Sequence, residues 1–209
     1  MKNLILQVQV FAGKENQTCG GKLFTRHNNL YKESRISAEN YATKIGAEYI
    51  CIDNCDYLPD HHPSFQRFRM FEMDEYDNIF YVDSDAIILN ECPNIFEIEY
   101  NDIAAVPDYD WSNIKNQNKL NSMQKFYKCE NILPFCCGVF LTSKKWRMEH
   151  KDIFFKELKN LKGYHDQQIL NHICKNEYYT PLSRDWGAWD KLDSKYIIHY
   201  GADNKKYFK

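Results

Sequence analysis

Two aspartates separated by one residue stand between two apolar runs. Asp83-Ser84-Asp85 lies between Ile79–Val82 and Ala86–Leu89, which are typical of buried strands because Ile, Val, Tyr and Phe dominate them. Carboxylates there are unfavourable unless something compensates them, and Asp oxygens suit hard divalent ions such as Mg²⁺ or Mn²⁺. The three residues alone favour a plain tight turn, in which Asp and Ser are common. The flanking strands strengthen the alternative of a metal site at a strand end, and the rest of the chain must decide between the two.

A histidine and two lysines near the end of the chain could complete such a site. His199 follows the apolar segment Tyr196–Ile198. A neutral imidazole can join carboxylates around a metal. A lysine such as Lys205 or Lys206 can hold a phosphate as a point charge. Taken alone, a histidine at a strand end beside a lysine-rich tail indicates no site.

Asp166-Gln167 and Arg67 are the other charged candidates. Asp166-Gln167-Gln168 opens a predicted helix, where an aspartate is more often a partner of the helix dipole. Arg67 stands on an earlier predicted helix, where it would otherwise be a solvated charge. Both acquire a role only if the fold brings them to Asp83 and Asp85.

The elements that must position these residues alternate between strand and helix. Leu4–Phe11 and Glu48–Asp53 are predicted strands. Between them Ser34–Ile45 is a predicted helix, with Ser34 as N-cap and Gly46 as its stop. This order begins an open parallel α/β sheet, in which ligands bind at the carboxyl ends of strands. The aspartate pair falls at such an end.

The rest of the chain continues the pattern. A helix is predicted over Ser64–Tyr76, with Phe65, Phe68, Phe71 and Met73 toward the sheet. Further strands are predicted at Asp102–Val106, Phe135–Thr142, Tyr178–Thr180 and Tyr196–His199. Further helices are predicted over Lys144–Leu161 and His165–Cys174. Pro107 to Asn131 is Asn-rich and weakly periodic, so we expect a loop that either closes over a ligand or is a plain surface excursion. Without a linker or repeat, we expect one domain over residues 1–209.

Composition excludes several classes of protein. The chain has 209 residues, of which 44% are hydrophobic and 27% charged, as in ordinary globular domains. Its net charge of −2, with Lys and Arg spread along it, argues against a dedicated duplex-binding protein. We therefore expect no nucleic-acid partner. No stretch is long and apolar enough to span a bilayer, and no signal-peptide pattern is visible.

The eight cysteines bear on the cellular compartment. Cys51 and Cys55 have loose zinc spacing, but Cys51 continues an apolar run and is better explained as a buried strand thiol. A chain of this length and apolarity does not need disulfides. We expect a soluble protein in a reducing, cytoplasmic compartment.

The segments that carry these candidates resemble, in order, the motifs of GT-A-fold glycosyltransferases of family eight, the glycogenin and lipopolysaccharide galactosyltransferase type. F-Q-R-F-R-M-F-E-M-D-E-Y-D-N-I-F-Y-V-D-S-D-A-I-I-L (Phe65–Leu89) is similar to their donor-site segment. C-G-V-F-L-T-S-K-K-W-R (Cys137–Arg147) resembles S-G-V-x-L-x-N-x-x-x-W. D-Q-Q-I-L-N (Asp166–Asn171) resembles D-Q-D-I-L-N, and I-I-H-Y-G-A-D-N-K-K (Ile197–Lys206) resembles the closing H-F-x-G-x-x-K-P-W. The compact length is also similar to that of small glycosyltransferases encoded by large algal viruses, for which the compartment would be the host cytoplasm.

The resemblance implies a Rossmann-like fold with a mixed, mostly parallel central sheet and helices on both faces. The donor half would cover about residues 1–106 and the acceptor-side half about 107–209. It implies a metal-dependent, hexosyltransferase-like enzyme that moves a sugar from a nucleoside-diphosphate sugar, by default a UDP-sugar, to a glycan or protein-linked acceptor. Asp83, Asp85 and His199 would hold Mn²⁺ or Mg²⁺, and the metal would stabilise the diphosphate leaving group.

Roles for the other residues follow from the same resemblance. Val10, Phe11 and the loop Ala12–Gln17 would contact the base of the donor, and Arg67 with Lys205 or Lys206 would contact its phosphates. Asp83 and Ser84 would contact the donor at the turn that holds the metal, and Gly138 would permit its close approach. The catalytic pair Asp166 and Gln167 would contact the transferred sugar. Aromatic residues in Tyr109–Tyr127 and Trp186–Trp189 could stack on an acceptor sugar or belong to the core.

The sequence departs from the family pattern around the sugar. Cys136 replaces the usual Asn, Gln168 replaces the last Asp of D-Q-D, and Lys206-Tyr207 replaces P-W. The family implies retention of anomeric configuration, but an inverting enzyme would use Asp166, or Asp108 or Asp110, as general base.

Two other functions remain open from the residues alone. One is a non-catalytic module that binds a nucleotide-sugar or carbohydrate. The other is a D-x-D phosphatase with Asp83 as nucleophile and Asp85 as acid.

Overall fold

The computed structural model describes residues 1–10, 28–161, 163–189 and 191–200. The strands within them are β1 (Asn3–Val8), β2 (Glu48–Ile52), β3 (Asn78–Val82), β4 (Ala86–Ile88), β5 (Ile103–Pro107), β6 (Phe135–Ser143), β7 (Thr180–Pro181) and β8 (Ile197–His199). The α-helices are α1 (Asn28–Ile45), α2 (Gln117–Tyr127), α3 (Lys144–Asn160) and α4 (Asp166–Ile173). Short 3₁₀ helices cover Pro63–Glu72, Ile95–Glu97, Ile114–Asn116 and Arg184–Trp186.

Six strands form a mixed central sheet in the order β2-β1-β3-β6-β5-β7. The pairs β1–β2, β1–β3 and β5–β7 are parallel, whereas β6 runs antiparallel to both β3 and β5. The carboxyl end of β3 therefore meets the first residues of β6. This arrangement confirms the predicted α/β class with a mostly parallel sheet.

Both faces of the sheet are covered, because successive strand residues point to opposite sides. Leu4, Leu6 and Tyr81 pack in one hydrophobic cluster with the 3₁₀ helix Pro63–Glu72, α3 and α4. Ile5 and Phe80 pack in the other cluster with α1. These strand side chains are at most 1% exposed, so the sheet is the centre of the core.

β4 lies outside the central sheet. Within the described residues it pairs with β8, in a separate two-stranded antiparallel sheet that matches Ala86 with His199. The polar turn Asp83-Ser84-Asp85 lets the chain leave the central sheet after β3. As a result, two residues far apart in sequence, Asp85 and His199, come together.

Three helix predictions need correction. α1 begins at Asn28, so Ser34 is inside the helix, where its buried hydroxyl donates to Ala86 O at 2.6 Å instead of capping an end. The segment predicted as an ordinary helix over Ser64–Tyr76 forms a 3₁₀ helix that is buried almost all round. The predicted loop from Pro107 to Asn131 contains α2, which the sequence concealed because only Leu120 and Tyr127 of that helix are buried.

The cysteines only partly follow expectation. Cys51, Cys92, Cys129, Cys136, Cys137 and Cys174 are free thiols. Cys55 is disulfide-bonded, which the sequence did not predict and which does not favour a reducing compartment. Across the described ranges no helix is long and apolar enough to cross a membrane.

Candidate metal and ligand site

The turn that carries the two aspartates is fixed by backbone hydrogen bonds on both sides. The Asp83 amide donates to Gly138 O of β6 at 2.7 Å, and the Ala86 amide closes the turn on Asp83 O at 3.1 Å. The Tyr200 amide, just after β8, donates to Asp85 O at 2.9 Å. The carboxylates therefore project from a rigid backbone between two sheets.

Asp83, Asp85 and His199 converge at this turn. His199 Nε2 lies 3.2 Å from Asp85 Oδ1 and 3.7 Å from Asp83 Oδ2. One oxygen or nitrogen from each residue lies within 4.8 Å of the others, and no other such group of His, Cys, Asp or Glu occurs in the described part of the chain. Two carboxylates and an imidazole are ligands suited to Mn²⁺ or Mg²⁺. The three residues singled out from the sequence fit a divalent metal.

The orientation of His199 suits metal binding through Nε2. Its Nδ1 lies 3.2 Å from Gly187 O, so a proton on Nδ1 can be donated to that carbonyl while Nε2 faces the aspartates. Burial lowers the pKa of His199, but the contacts with Asp85 and Cys136 raise it well above its ordinary value. A metal that binds at Nε2 must displace the proton that Nε2 carries in the charged imidazole. Metal affinity is therefore expected to decrease as the pH is lowered.

Arg67 joins this group to a third carboxylate, that of Asp166. Its Nη2 lies 3.0 Å from Asp83 Oδ1 and 2.9 Å from Asp166 Oδ2. Nη1 donates to Cys137 O and Nε to Ser64 O, while the guanidinium stacks over the Tyr81 ring at 4.5 Å. Arg67 is only 4% exposed, so the alternative of a solvated surface charge is wrong.

Tyr81 and Arg67 also act on the protonation of Asp83. The Tyr81 hydroxyl donates to Asp83 Oδ1 at 2.7 Å. Burial raises the pKa of Asp83 and nearby Asp85 raises it further, whereas Arg67, His199 and Tyr81 oppose the shift. Tyr81 was missed from the sequence, although the two-residue period of a strand places it on the same side as Asp83.

Asp166 and Gln167 reach the site from the start of α4. The side chain of Asn171 anchors this helix to β6, since it accepts from the Phe135 amide and donates to Phe135 O, both at 2.9 Å. Gln167 Oε1 lies 3.4 Å from the Cys137 amide, and Asp166 pairs with Arg67. α4 is thus fixed to the edge of the sheet at which Asp83 lies.

These side chains surround one cavity of about 460 Å³. Its lining residues are His62, Ser64, Arg67, Asp83, Asp85, Asp108, Tyr109, Cys136, Cys137, Gly138, Asp166, Gln167, Trp189 and His199. The size is within the range of cavities that hold small ligands. Asp110, an alternative base in the sequence, does not line this cavity, and its carboxylate accepts from Ser112.

Not every predicted contact lies in the described structure. Val10 follows β1 but does not line this cavity, and neither does Ser84. Phe11, the loop Ala12–Gln17 and both Lys205 and Lys206 lie outside the described residues. The structure therefore brings together Arg67, Asp83, Asp85, Gly138, Asp166, Gln167 and His199 from the predicted set.

A buried polar network supports the turn from Asp83 to Ala86 that carries the two aspartates. Gln7 Nε2 donates to Ser34 Oγ at 2.8 Å and to Asp83 O at 3.3 Å, and Ser34 in turn holds Ala86 O. Gln7 Oε1 accepts from the Tyr49 hydroxyl at 2.8 Å, which fixes the orientation of the amide. The network thus holds the first and last carbonyls of the turn.

Gln7→Met is expected to weaken Mn²⁺ binding by about tenfold, the lower end of the range for residues that support metal ligands. Methionine fills the space but cannot hold the carbonyls of the turn. Isothermal titration with Mn²⁺ measures the change. Gln9→Met is the matched control, since Gln9 is equally buried but donates to Gln7 and Tyr31 and not to the turn. Equal affinities of the two variants would contradict a positioning role for Gln7.

Comparison with known proteins points to one group of enzymes. A model of glycosyl transferase family 8 matches residues 25–208. No curated protein matches the sequence. The structure is similar to the glycosyltransferase GlyE of Streptococcus pneumoniae TIGR4, with a TM-score of 0.60 and 17% identity over 100% of this chain and 56% of that one. The chain thus spans little more than half the length of GlyE.

Two further structures share the fold. A glycosyltransferase involved in the glycosylation of the major capsid of PBCV-1 matches with a TM-score of 0.60 and 12% identity, over 99% of this chain and 96% of that one. An active-site mutant of LgtC matches with a TM-score of 0.52 and 13% identity, over 81% of this chain and 69% of the other. At these identities the likeness concerns the fold.

Proposed function

This chain belongs to glycosyl transferase family 8, and on that premise we propose that it transfers a sugar from a UDP-sugar to a carbohydrate or protein-linked acceptor with the help of a divalent metal. The observation that carries the proposal is the convergence of Asp83, Asp85 and His199 in a cavity that also holds Arg67 and Asp166. Mn²⁺ or Mg²⁺ bound there would act as a Lewis acid on the diphosphate leaving group.

The cavity divides into two chemical regions. Asp83, Asp85 and His199 would hold the metal and, through it, the phosphates, and Lys205 or Lys206 would add positive charge. Asp166 and Gln167, on the other side of Arg67, would hydrogen-bond the hydroxyls of the transferred sugar. Arg67 would orient the carboxylates of Asp83 and Asp166, since its Nη2 atom lies 3.0 Å from the first and 2.9 Å from the second.

The base and the acceptor have candidate positions of their own. Val10 and Phe11 would contact the uracil beyond β1. The acceptor would approach beside Tyr109 and Trp189, which line the same cavity.

The phosphatase alternative fits the geometry poorly. A nucleophilic aspartate needs an oxygen free to attack a phosphorus atom. Asp83 Oδ1 accepts from Tyr81 and pairs with Arg67, and Asp83 Oδ2 faces His199. We therefore favour the transferase over a D-x-D phosphatase.

Release of nucleoside diphosphate from a panel of sugar nucleotides tests the proposal. We expect Mn²⁺-dependent release with at least one UDP-sugar, lost on addition of EDTA and faster with a suitable acceptor. Binding of UDP-sugars without release would instead identify a non-catalytic module. Hydrolysis of simple phosphoesters would contradict the transferase.

A further inference from the structure

A second cavity, of about 340 Å³, lies next to the site and is lined mainly by apolar and aromatic side chains. We name it the apolar cavity. Its wall includes Trp111, Ile132, Leu133, Phe135, Tyr179 and Leu182. Its volume is at the low end of the range for small-molecule sites.

An aromatic row connects the two cavities. Tyr109 lines both, and its ring makes edge contacts with Trp189 at 5.4 Å and with Trp111 at 5.1 Å between centroids. Trp189 lines the candidate metal site and Trp111 lines the apolar cavity. The row therefore runs from the place of sugar transfer into apolar surroundings.

Hydrogen bonds hold both ends of the row in place. Trp189 Nε1 donates to the backbone and carboxylate oxygens of Asp108, at 3.0 and 3.2 Å. Trp111 Nε1 donates to Pro134 O at 3.0 Å. The rings are thus preorganised, which reduces the entropy lost when a ligand binds.

We propose that the acceptor carries an aromatic or short alkyl aglycone, that the aglycone occupies the apolar cavity, and that its sugar lies along the row Trp189–Tyr109–Trp111. This proposal rests on the proposed transferase function, since it assigns the substrate class of the same site. The aglycone provides the apolar surface that the cavity buries. The sugar hydroxyl that is to be glycosylated then points toward Asp166 and Gln167.

Binding of matched glycosides tests the proposal without any donor. Phenyl and methyl β-glycosides of the same sugar, in a series of common hexoses, are titrated into the full chain. At least one phenyl glycoside is expected to bind about tenfold or more tightly than its methyl partner, because the ring removes apolar surface from water. Equal affinities throughout, or no binding, would overturn the proposal.

Two variants locate the binding. Leu133, 43% exposed at the rim of the apolar cavity, is replaced by Trp to fill it, and this should abolish the phenyl preference. Ile114→Trp adds the same ring at an 82% exposed position that does not line the cavity, and should keep the preference. Retention of the preference in Leu133→Trp would place the aglycone elsewhere and overturn the proposal.

These binding measurements are independent of the test of the transferase function. Because no donor is present, failure of nucleotide release would contradict only the transferase function, whereas failure of the phenyl preference would contradict only the apolar cavity as aglycone site.

Discussion

Asp85→Asn is expected to lower kcat/KM for the sugar nucleotide by at least about a hundredfold. The amide keeps the shape of the side chain but removes a negative ligand charge that lies 3.2 Å from His199 Nε2. Lewis-acid stabilisation of a phosphoryl oxygen is worth several kcal/mol, and about 1.4 kcal/mol corresponds to a factor of ten in rate. Steady-state release of nucleoside diphosphate at saturating Mn²⁺ measures the loss, and titration calorimetry measures the accompanying fall in Mn²⁺ affinity.

The matched control for this change is Asp102→Asn. Asp102 is also an aspartate at a strand boundary, but it precedes β5 and pairs with Lys145 at 3.3 Å, away from the cavity. Surface pairs of this kind contribute little to stability. Asp102→Asn should therefore keep both turnover and Mn²⁺ affinity. Full activity in Asp85→Asn would remove Asp85 from the metal ligands.

The central strands could be predicted from sequence because their apolar runs are short and bounded by polar or glycine-rich turns. β3 and β6 were each located to within one residue of their observed ends. Strand pairing could not be obtained in this way. Nothing local to Phe135–Ser143 distinguishes a strand that runs antiparallel between β3 and β5 from one that runs parallel.

The proposed metal ligands could be predicted from sequence for the same reason, whereas the links from them to Arg67 and Asp166 could not. Asp83-Ser84-Asp85 is a local pattern, and His199 stands out at the end of an apolar strand. The bridge from Asp83 through Arg67 to Asp166 depends on three segments meeting in space. The residues alone made Arg67 a charged candidate, and the resemblance to a family then assigned it to the donor site.

Gly138 has a structural role that differs from the predicted one. The resemblance to the family implied that the missing side chain lets the donor approach β6. In the structure the space is taken by the side chains of two proposed metal ligands. A Cβ at Gly138 would lie 2.3 Å from His199 Cε1 and 2.8 Å from Asp83 Oδ2, both far inside van der Waals contact. Glycine is therefore required for the ligands to converge.

Gly138→Ala is expected to weaken Mn²⁺ binding and turnover by at least about tenfold, because disturbing the support of metal ligands costs roughly 10–100-fold. The backbone of Gly138 is fixed by its carbonyl, which accepts from the Asp83 amide at 2.7 Å, so the new methyl group cannot withdraw. His199 and Asp83 must move instead, and His199 then leaves its contact with Gly187 O. Calorimetric titration with Mn²⁺ measures the effect on the ligands directly.

Two further variants separate displacement of the ligands from loss of stability. Gly46→Ala puts the same methyl group at a left-handed position, φ = 69°, where no atom lies within 4 Å of the new Cβ. It should lower the melting temperature without changing Mn²⁺ affinity. His199→Ala removes the nearer of the two side chains that the methyl group meets, so Gly138→Ala should cost less in the His199→Ala background than in the original chain. Additive losses in that double variant would show that Gly138 acts on something other than His199.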